Sequence, residues 1–429
     1  MDKLLEDLRI ATLECTFCGS CQATCPVFAK TGMDAACSRG RLFQLRCLAD
    51  GTLSESPKLA ESLSRCTLCM ACKATCPAGI QTTDLFLRFR KRVGEKVPLP
   101  AIKRAAFTSL TYRSFFEFCL RFGALSQGLF FKKHPEGHGY EARFPIPLAG
   151  LNKRRLIPRL AQKPLRSLVP ERSLPKGPRR ARVAFFPGCM LHYVYPEAGK
   201  ALVRVLQANG VEVLLPPELS CCGTPVFTSG DFTTAGVLAR RNVSVLAGLD
   251  VDAIVTGCAT CGTALSHEYG LVLEDSPALE TWRGISAKVF DFSTFLMDLG
   301  HSDAFRTIRR KVTYHDPCHL VRGMGVTDAP RKLVRAIPGV EFVEMRDSAR
   351  CCGCAGSFSA SHYALSREIN DDKVRNISAT GADLLVTGCS ACRMHILDGF
   401  SRHGIPTQAM HTAELLAEAY GVSGPGASK

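Results

Sequence analysis

Two cysteine quartets near the start of the chain have the spacing to do redox chemistry. Cys15, Cys18, Cys21 and Cys25, followed by Pro26, read C-x2-C-x2-C-x3-C-P. Cys66, Cys69, Cys72 and Cys76, followed by Pro77, repeat the run at a constant offset of 51 residues. Such short loops aim three thiolates and several backbone N–H groups at one anionic [4Fe–4S] cubane, while the fourth cysteine reaches a neighbouring cluster. Two structural zinc sites would instead show separated CxxC pairs.

A second pattern is equally regular. Cys189 is followed by 31 residues, the vicinal pair Cys221 and Cys222, 35 residues, and then Cys258 and Cys261. Its copy runs Cys318, 32 residues, Cys351 and Cys352, 36 residues, and then Cys389 and Cys392. Five thiols exceed the four of a tetrahedral zinc. Adjacent side chains in an extended loop converge poorly on one small ion, but they could bridge metals of a larger cluster. A glycine or proline stands before four of these ligands (Gly188, Gly257, Pro317, Gly388), as close backbone approach would demand.

The elements that must position these thiols are legible around them. With 429 residues, 46% of them apolar and 22% charged, the chain is long enough for two or three globular domains. The start, "MDKLLEDLRIATLEC", lacks the basic and apolar regions of a signal peptide, which predicts a protein that is not exported. In a reducing compartment its 22 cysteines read as metal or cluster ligands rather than disulfides. The expected fold is an α+β and α/β multidomain one in four segments. Residues 1–95 form a helical domain with two [4Fe–4S] sites of ferredoxin type, and residues 96–180 a basic helical connector. Residues 181–300 and 301–429 form two repeated α/β cysteine-rich domains. The repeat is explicit: "ARVAFFPGC" matches "RKVTYHDPC" and "VDAIVTGCATC" matches "ADLLVTGCSAC". Apolar strands alternate there with periodic helices such as 197–209 and 233–247, which predicts parallel units with the cysteines on strand-end loops.

The formal charge of +15 is concentrated in the connector. From Val97 to Arg182 there are 18 Lys or Arg, among them Lys132, Lys133, Lys153, Arg154, Arg155, Arg179 and Arg180, against four Glu, an excess of 18 − 4 = +14. Such a segment suits an anionic membrane surface or an acidic partner. No recognisable fold interleaves base-stacking aromatics with it, so no nucleic-acid partner is expected. "FFEFCLRFGALSQGLFF", Phe115 to Phe131, is too short and too charged to span a bilayer. It reads as a helix that packs into a core or lies on a membrane, the core being the commoner fate of so many aromatics.

The quartets are similar to those of bacterial two-cluster ferredoxins. That pattern assigns Cys15, Cys18, Cys21 and Cys76 to one cubane, and Cys66, Cys69, Cys72 and Cys25 to the other. "CCG" at Cys221 to Gly223 and at Cys351 to Gly353 resembles the CCG domain of heterodisulfide reductase catalytic subunits and of the iron–sulfur subunits of glycolate and lactate oxidation systems. The whole arrangement, with "SRGRLFQL" and "KVPLP", resembles the glycolate oxidase iron–sulfur subunit, although both CxxC pairs are intact here where that subunit tends to lose the C-terminal one.

The resemblance implies two cubanes and one or two further noncubane [4Fe–4S] clusters, or zinc in their place, on the ten CCG cysteines. It implies an electron-transfer subunit beside an FAD-containing 2-hydroxyacid dehydrogenase subunit, passing electrons from glycolate or lactate toward a quinone or membrane acceptor. The location it implies is cytoplasmic, free or peripheral on the inner face of the membrane. No flavin or nicotinamide fingerprint is legible in this chain, so substrate oxidation is expected elsewhere. The alternative is a subunit that reduces a disulfide at noncubane clusters.

Cys37, Cys47 and Cys119 read as small packed residues. Cys354, in "CCGCAG", could be an alternative ligand. His315 and His319 bracket Cys318, where imidazoles can move protons or tune a potential.

Overall fold

The computed structural model describes residues 3–134, 139–144 and 155–423. Lys153 and Arg154 of the basic connector lie outside them.

The N-terminal segment is helical. Helices Ser38–Ala49, Pro57–Ser64 and Thr82–Lys96 bury Leu42, Leu45, Leu63, Phe86 and Phe89 between them. Ser56 caps the second of these through the amide of Leu59. The connector then forms helices Ala101–Ser109 and Arg113–Phe130 and a ribbon of β1 (Phe131–Lys133) and β2 (Tyr140–Ala142).

Two parallel sheets follow. The first contains β3 (Arg172–Ser173), β4 (Ala181–Phe186), β5 (Val211–Leu214), β6 (Ala253–Thr256) and β7 (Val289–Asp291) in the order β3-β5-β4-β6-β7. Only β3, contributed by the stretch read as connector, runs antiparallel. The second contains β8 (Arg310–Tyr314), β9 (Val340–Phe342), β10 (Leu384–Thr387) and β11 (Gln408–His411) in the order β11-β10-β8-β9. The four parallel strands of each sheet share one order, as the sequence repeat predicts. Strands β6 and β10 are buried at every residue, because helices cover both faces of a parallel sheet. The helices expected at 197–209 and 233–247 are Pro196–Ala208 and Phe232–Ala247, the second capped by the Asp231 carboxylate.

Specific contacts join the segments. Arg90, buried on Thr82–Lys96, donates to the carbonyls of Leu63 (2.6 Å) and Cys66 (2.8 Å) and to that of Thr228 in the first sheet domain. Beside it, a Cβ on Gly94 would lie 2.8 Å from the Gly230 carbonyl, so the helix and that loop meet through bare backbone. Part of the connector's positive charge is used internally: Arg172, Arg179 and Arg182 surround the buried carboxylate of Glu212, which they hold down to about 2 against the cost of burial.

Candidate metal centres

The 51-residue repeat reappears in the backbone. Phe17 and Leu68 adopt positive φ (55° and 50°), and so do Gly19 and Met70 (81° and 60°), each pair being equivalent positions of the two quartets. Left-handed φ is costly for a side chain such as Phe, Leu or Met, on the order of 1–3 kcal/mol. The conformation folds the loop so that successive amides point inward, the arrangement that cradles anions. The short helices Ser20–Thr24 and Ala71–Ala74 touch, and Thr24 Oγ1 stands 3.4 Å from Thr75 Oγ1 near the local two-fold axis.

This symmetry brings the quartets together in crossed fashion. Cys15, Cys18 and Cys21 line one cavity with Cys76 of the other quartet, and Cys72 also borders it. Cys25 faces Cys66 and Cys69 instead. Burial pushes the Cys25 thiol up to about 12 and that of Cys72 to about 11, so these groups become thiolates when a cation neutralises them. Hydroxyls and amides already address the sulfurs: Thr82 Oγ1 lies 3.1 Å from Cys72, and the amides of Leu68 and Phe28 donate to Cys66 and Cys25 at 3.4 Å. Cys37, expected as a packing residue, is buried but polar in its surroundings: its thiol donates to the Asp34 carbonyl at 3.1 Å and to Asp34 Oδ1 at 3.4 Å, with Cys21 beside it.

In the cysteine-rich domains the thiols gather where strand order reverses. Strands β4 and β6 are neighbours whose onward connections leave in opposite directions, which opens a crevice at their carboxyl ends. Cys189 follows β4, Cys258 and Cys261 follow β6, and the loop after β5 brings Cys221 and Cys222. The Cys221 and Cys189 sulfurs are 3.9 Å apart, and Cys222 contacts Cys261. Gly188 (φ 60°) leaves room for this: a Cβ there would stand 2.6 Å from Cys261 Sγ. The second copy follows suit, with Cys318 beside Cys351 and Cys352 beside Cys392. In both copies the glycine of CCG has a left-handed φ and its amide donates to the first cysteine of the pair, at 3.5 Å from Gly223 to Cys221 and 3.4 Å from Gly353 to Cys351.

The sets also meet one another. Cys69 of the second quartet packs against Cys318 and Cys351, and Arg322 donates both to the Cys69 carbonyl (3.2 Å) and to that of Ala349 (2.9 Å). Cys389 contacts Cys258 of the first cysteine-rich domain, where Ala259 N donates to the Gly388 carbonyl at 3.2 Å. Through these contacts the second cysteine-rich set touches both the quartets and the first set. Its five cysteines are buried, whereas Cys189 is half-buried and Cys18 exposed.

Some contributors were not read from the sequence. Asn242 and Asn370, fully buried on equivalent helices, donate to the Cys221 and Cys352 carbonyls at 3.0 and 3.2 Å. Lys373, also buried, donates to the carbonyls of Asp347 and Ser348 beside the second set, and burial lowers it to about 8. The available signal was a polar residue on the inward face of the same helix in both copies. Cys354 is buried near Cys352 and Cys389. Cys119, expected to pack, is exposed, because its helix Arg113–Phe130 buries little beyond Ala124. Phe115, Phe118, Phe122, Leu125 and Leu129 form an outward stripe on that helix, contrary to the core packing that its aromatics suggested.

The paired quartet loops and the two five-cysteine crevices define an iron–sulfur protein with a dicluster domain and two cysteine-rich domains. The families described as "4Fe-4S dicluster domain" and "Cysteine-rich domain" match residues 11–80, and 183–266 and 312–397. The chain is 32% identical, over 95% of its length and 94% of the relative's, to the "Probable glycolate oxidase iron-sulfur subunit" of Bacillus subtilis. It belongs to that iron–sulfur subunit family. It is also 32% identical to "Lactate utilization protein A" of Halalkalibacterium halodurans, over 55% of this chain and 96% of that one. Over 95% of this chain and 94% of the relative, it is 28% identical to one of the subunits of the dihydromethanophenazine:CoB–CoM heterodisulfide reductase of Methanosarcina mazei.

Proposed function

We propose that this chain is the electron-transfer subunit of a complex in which a flavoprotein oxidises a small 2-hydroxy acid, glycolate or lactate. The crossed quartets would hold two cubanes, and the ten remaining motif cysteines one or two noncubane clusters, or zinc in one domain. Bound there, such clusters supply one-electron transfer, and the protein fixes their order and surroundings. The observation that carries this reading is the unbroken series of cysteine sets linked by the Cys69–Cys351 and Cys258–Cys389 contacts.

Both ends suit a role between partners. Around exposed Cys18, the N-terminal domain presents Phe17, Met33 and Phe43, an apolar surface for the flavoprotein. At the other end, a narrow cleft reaches Cys189 and Cys221 and shares Arg113, Arg166, His192 and Tyr193 with a cavity of about 190 Å3 against helix Arg113–Phe130. The cleft would receive the acceptor, a quinone. The helix's outward apolar stripe, flanked by exposed Arg121, Lys132, Lys133 and Arg143, would rest on an anionic membrane. No helix among the described residues is long and apolar enough to cross one.

Reduction of the clusters by glycolate, D-lactate or L-lactate, followed by EPR with and without the co-purified flavoprotein, tests this reading. Reduction that requires both acid and flavoprotein is expected; failure with every acid would end it. The intact second CxxC favours a disulfide-reducing role as the other reading, which oxidation of the clusters by a disulfide would select.

A further inference from the structure

The two cysteine-rich domains share strand order, cysteine spacing and the CCG turn, but not the residue that ends their first strand. Phe186 closes β4; its counterpart after β8 is His315, in "TYHDPC" against "AFFPGC". His315 is wholly buried. Its backbone N–H extends the sheet to the Val386 carbonyl at 3.0 Å, which fixes the residue beside β10 and its CxxC loop. Its Nδ1–H donates to the Ser348 carbonyl at 3.2 Å, so the ring's lone pair is on Nε2, and Nε2 has no hydrogen-bond partner among the described residues. A ring nitrogen of His315 and the sulfurs of Cys352 and Cys392 all lie within 4.8 Å of one another.

A buried unpaired polar atom is costly, and although His192, His319 and His395 also leave one ring nitrogen unpartnered, among the described residues it is His315 whose ring stands within 4.8 Å of two cysteine sulfurs. Here one nitrogen is anchored to a carbonyl, the other is left open, and the ring stands beside two thiols. A carbonyl bond of this kind is what orients a metal-binding imidazole and selects its tautomer.

We propose that His315 Nε2 is a metal ligand in the second cysteine-rich domain, sharing a thiophilic first-row metal, iron or zinc, with Cys352 and Cys392. The two domains then hold unlike sites: sulfur alone in the first, where Phe186 offers no donor, and mixed nitrogen and sulfur in the second. Nitrogen in place of a thiolate leaves a site less negative and raises its potential if the metal is iron. The inference rests on the reading of the five cysteines as metal ligands, and on no particular substrate of the complex.

Anomalous diffraction at the iron and zinc edges from anaerobically purified full-length protein tests it. A metal is expected between Cys352 and Cys392 at about 2.0–2.1 Å from His315 Nε2, the distance of an imidazole ligand. His315→Phe, which copies the first domain, should lose that metal and keep the rest. His315→Cys should retain it, which separates ligand loss from misfolding. A metal held there by sulfur alone, or full metal content in His315→Phe, overturns the proposal while leaving the cysteine assignment intact. No metal at Cys352 and Cys392 in the wild type overturns both.

Discussion

Cys69, the second thiol of the second quartet, packs directly against Cys351, the first thiol of the second CCG pair, although 282 residues separate them, 351 − 69. The cysteine set last in the chain is thereby the one whose thiols touch the quartets, while the first cysteine-rich set reaches it through Cys258 and Cys389.

Arg322 is the tie that holds this junction, with one nitrogen on each side of it. Arg322→Met should cost on the order of 2 kcal/mol of local stability. On the proposed relay, stopped-flow reduction should show normal bleaching of the quartet clusters and delayed reduction downstream, with iron content unchanged. Equal rates at both stages would mean that the junction does not depend on Arg322.

Asn242 and Asn370 hold the vicinal cysteines through their carbonyls. Replacing either with Ala leaves buried partners unpaired, at about 1–3 kcal/mol. Each change should deplete metal from its own cysteine-rich domain and spare the quartets. Metal analysis per chain checks the selectivity.

Glu268, beside the first set, is buried with Oε2 unpartnered, and burial followed by the negative charge of Cys222 raises its carboxyl from 4.5 to about 8. The folded state thus holds this proton more tightly than the unfolded chain. Its contribution is full below about pH 4.5 and is lost as pH rises through 8. Glu268→Gln should gain on the wild type with rising pH, by up to about 4 kcal/mol between pH 5 and 9. Anaerobic denaturant titrations at several pH values measure the difference.

The outward stripe of Phe115, Phe118 and Phe122 predicts membrane contact. Binding to vesicles containing anionic lipid should fall at least about tenfold in Phe118→Ser/Phe122→Ser and weaken with salt. Unchanged sedimentation with vesicles would assign the stripe to a protein partner.

Much of this arrangement is legible in the sequence because the ligands carry a register. Constant offsets expose the repeats, and the alternation of strands and helices predicts parallel sheets whose loops bear Cys189, Cys258, Cys318 and Cys389. The contacts between sets are not legible, since Cys69 and Cys351, or Cys258 and Cys389, meet only through domain packing. The helix Arg113–Phe130 misleads for a related reason: its composition shows an apolar stripe but not what lies opposite. Arg172, Arg179 and Arg182 likewise look like free surface charge until Glu212 appears beneath them.

The order of the sets is tested most directly by interrupting its middle. On the proposed relay, a Cys318→Ala/Cys351→Ala variant mixed with the co-purified flavoprotein should still give, with the hydroxyacid, the EPR signals of the reduced quartet clusters, while turnover with a quinone analogue should fall at least about a hundredfold, since the cofactors' positions govern transfer. Wild-type turnover in that variant would show that electrons do not pass by way of the second cysteine-rich domain, and would contradict the account.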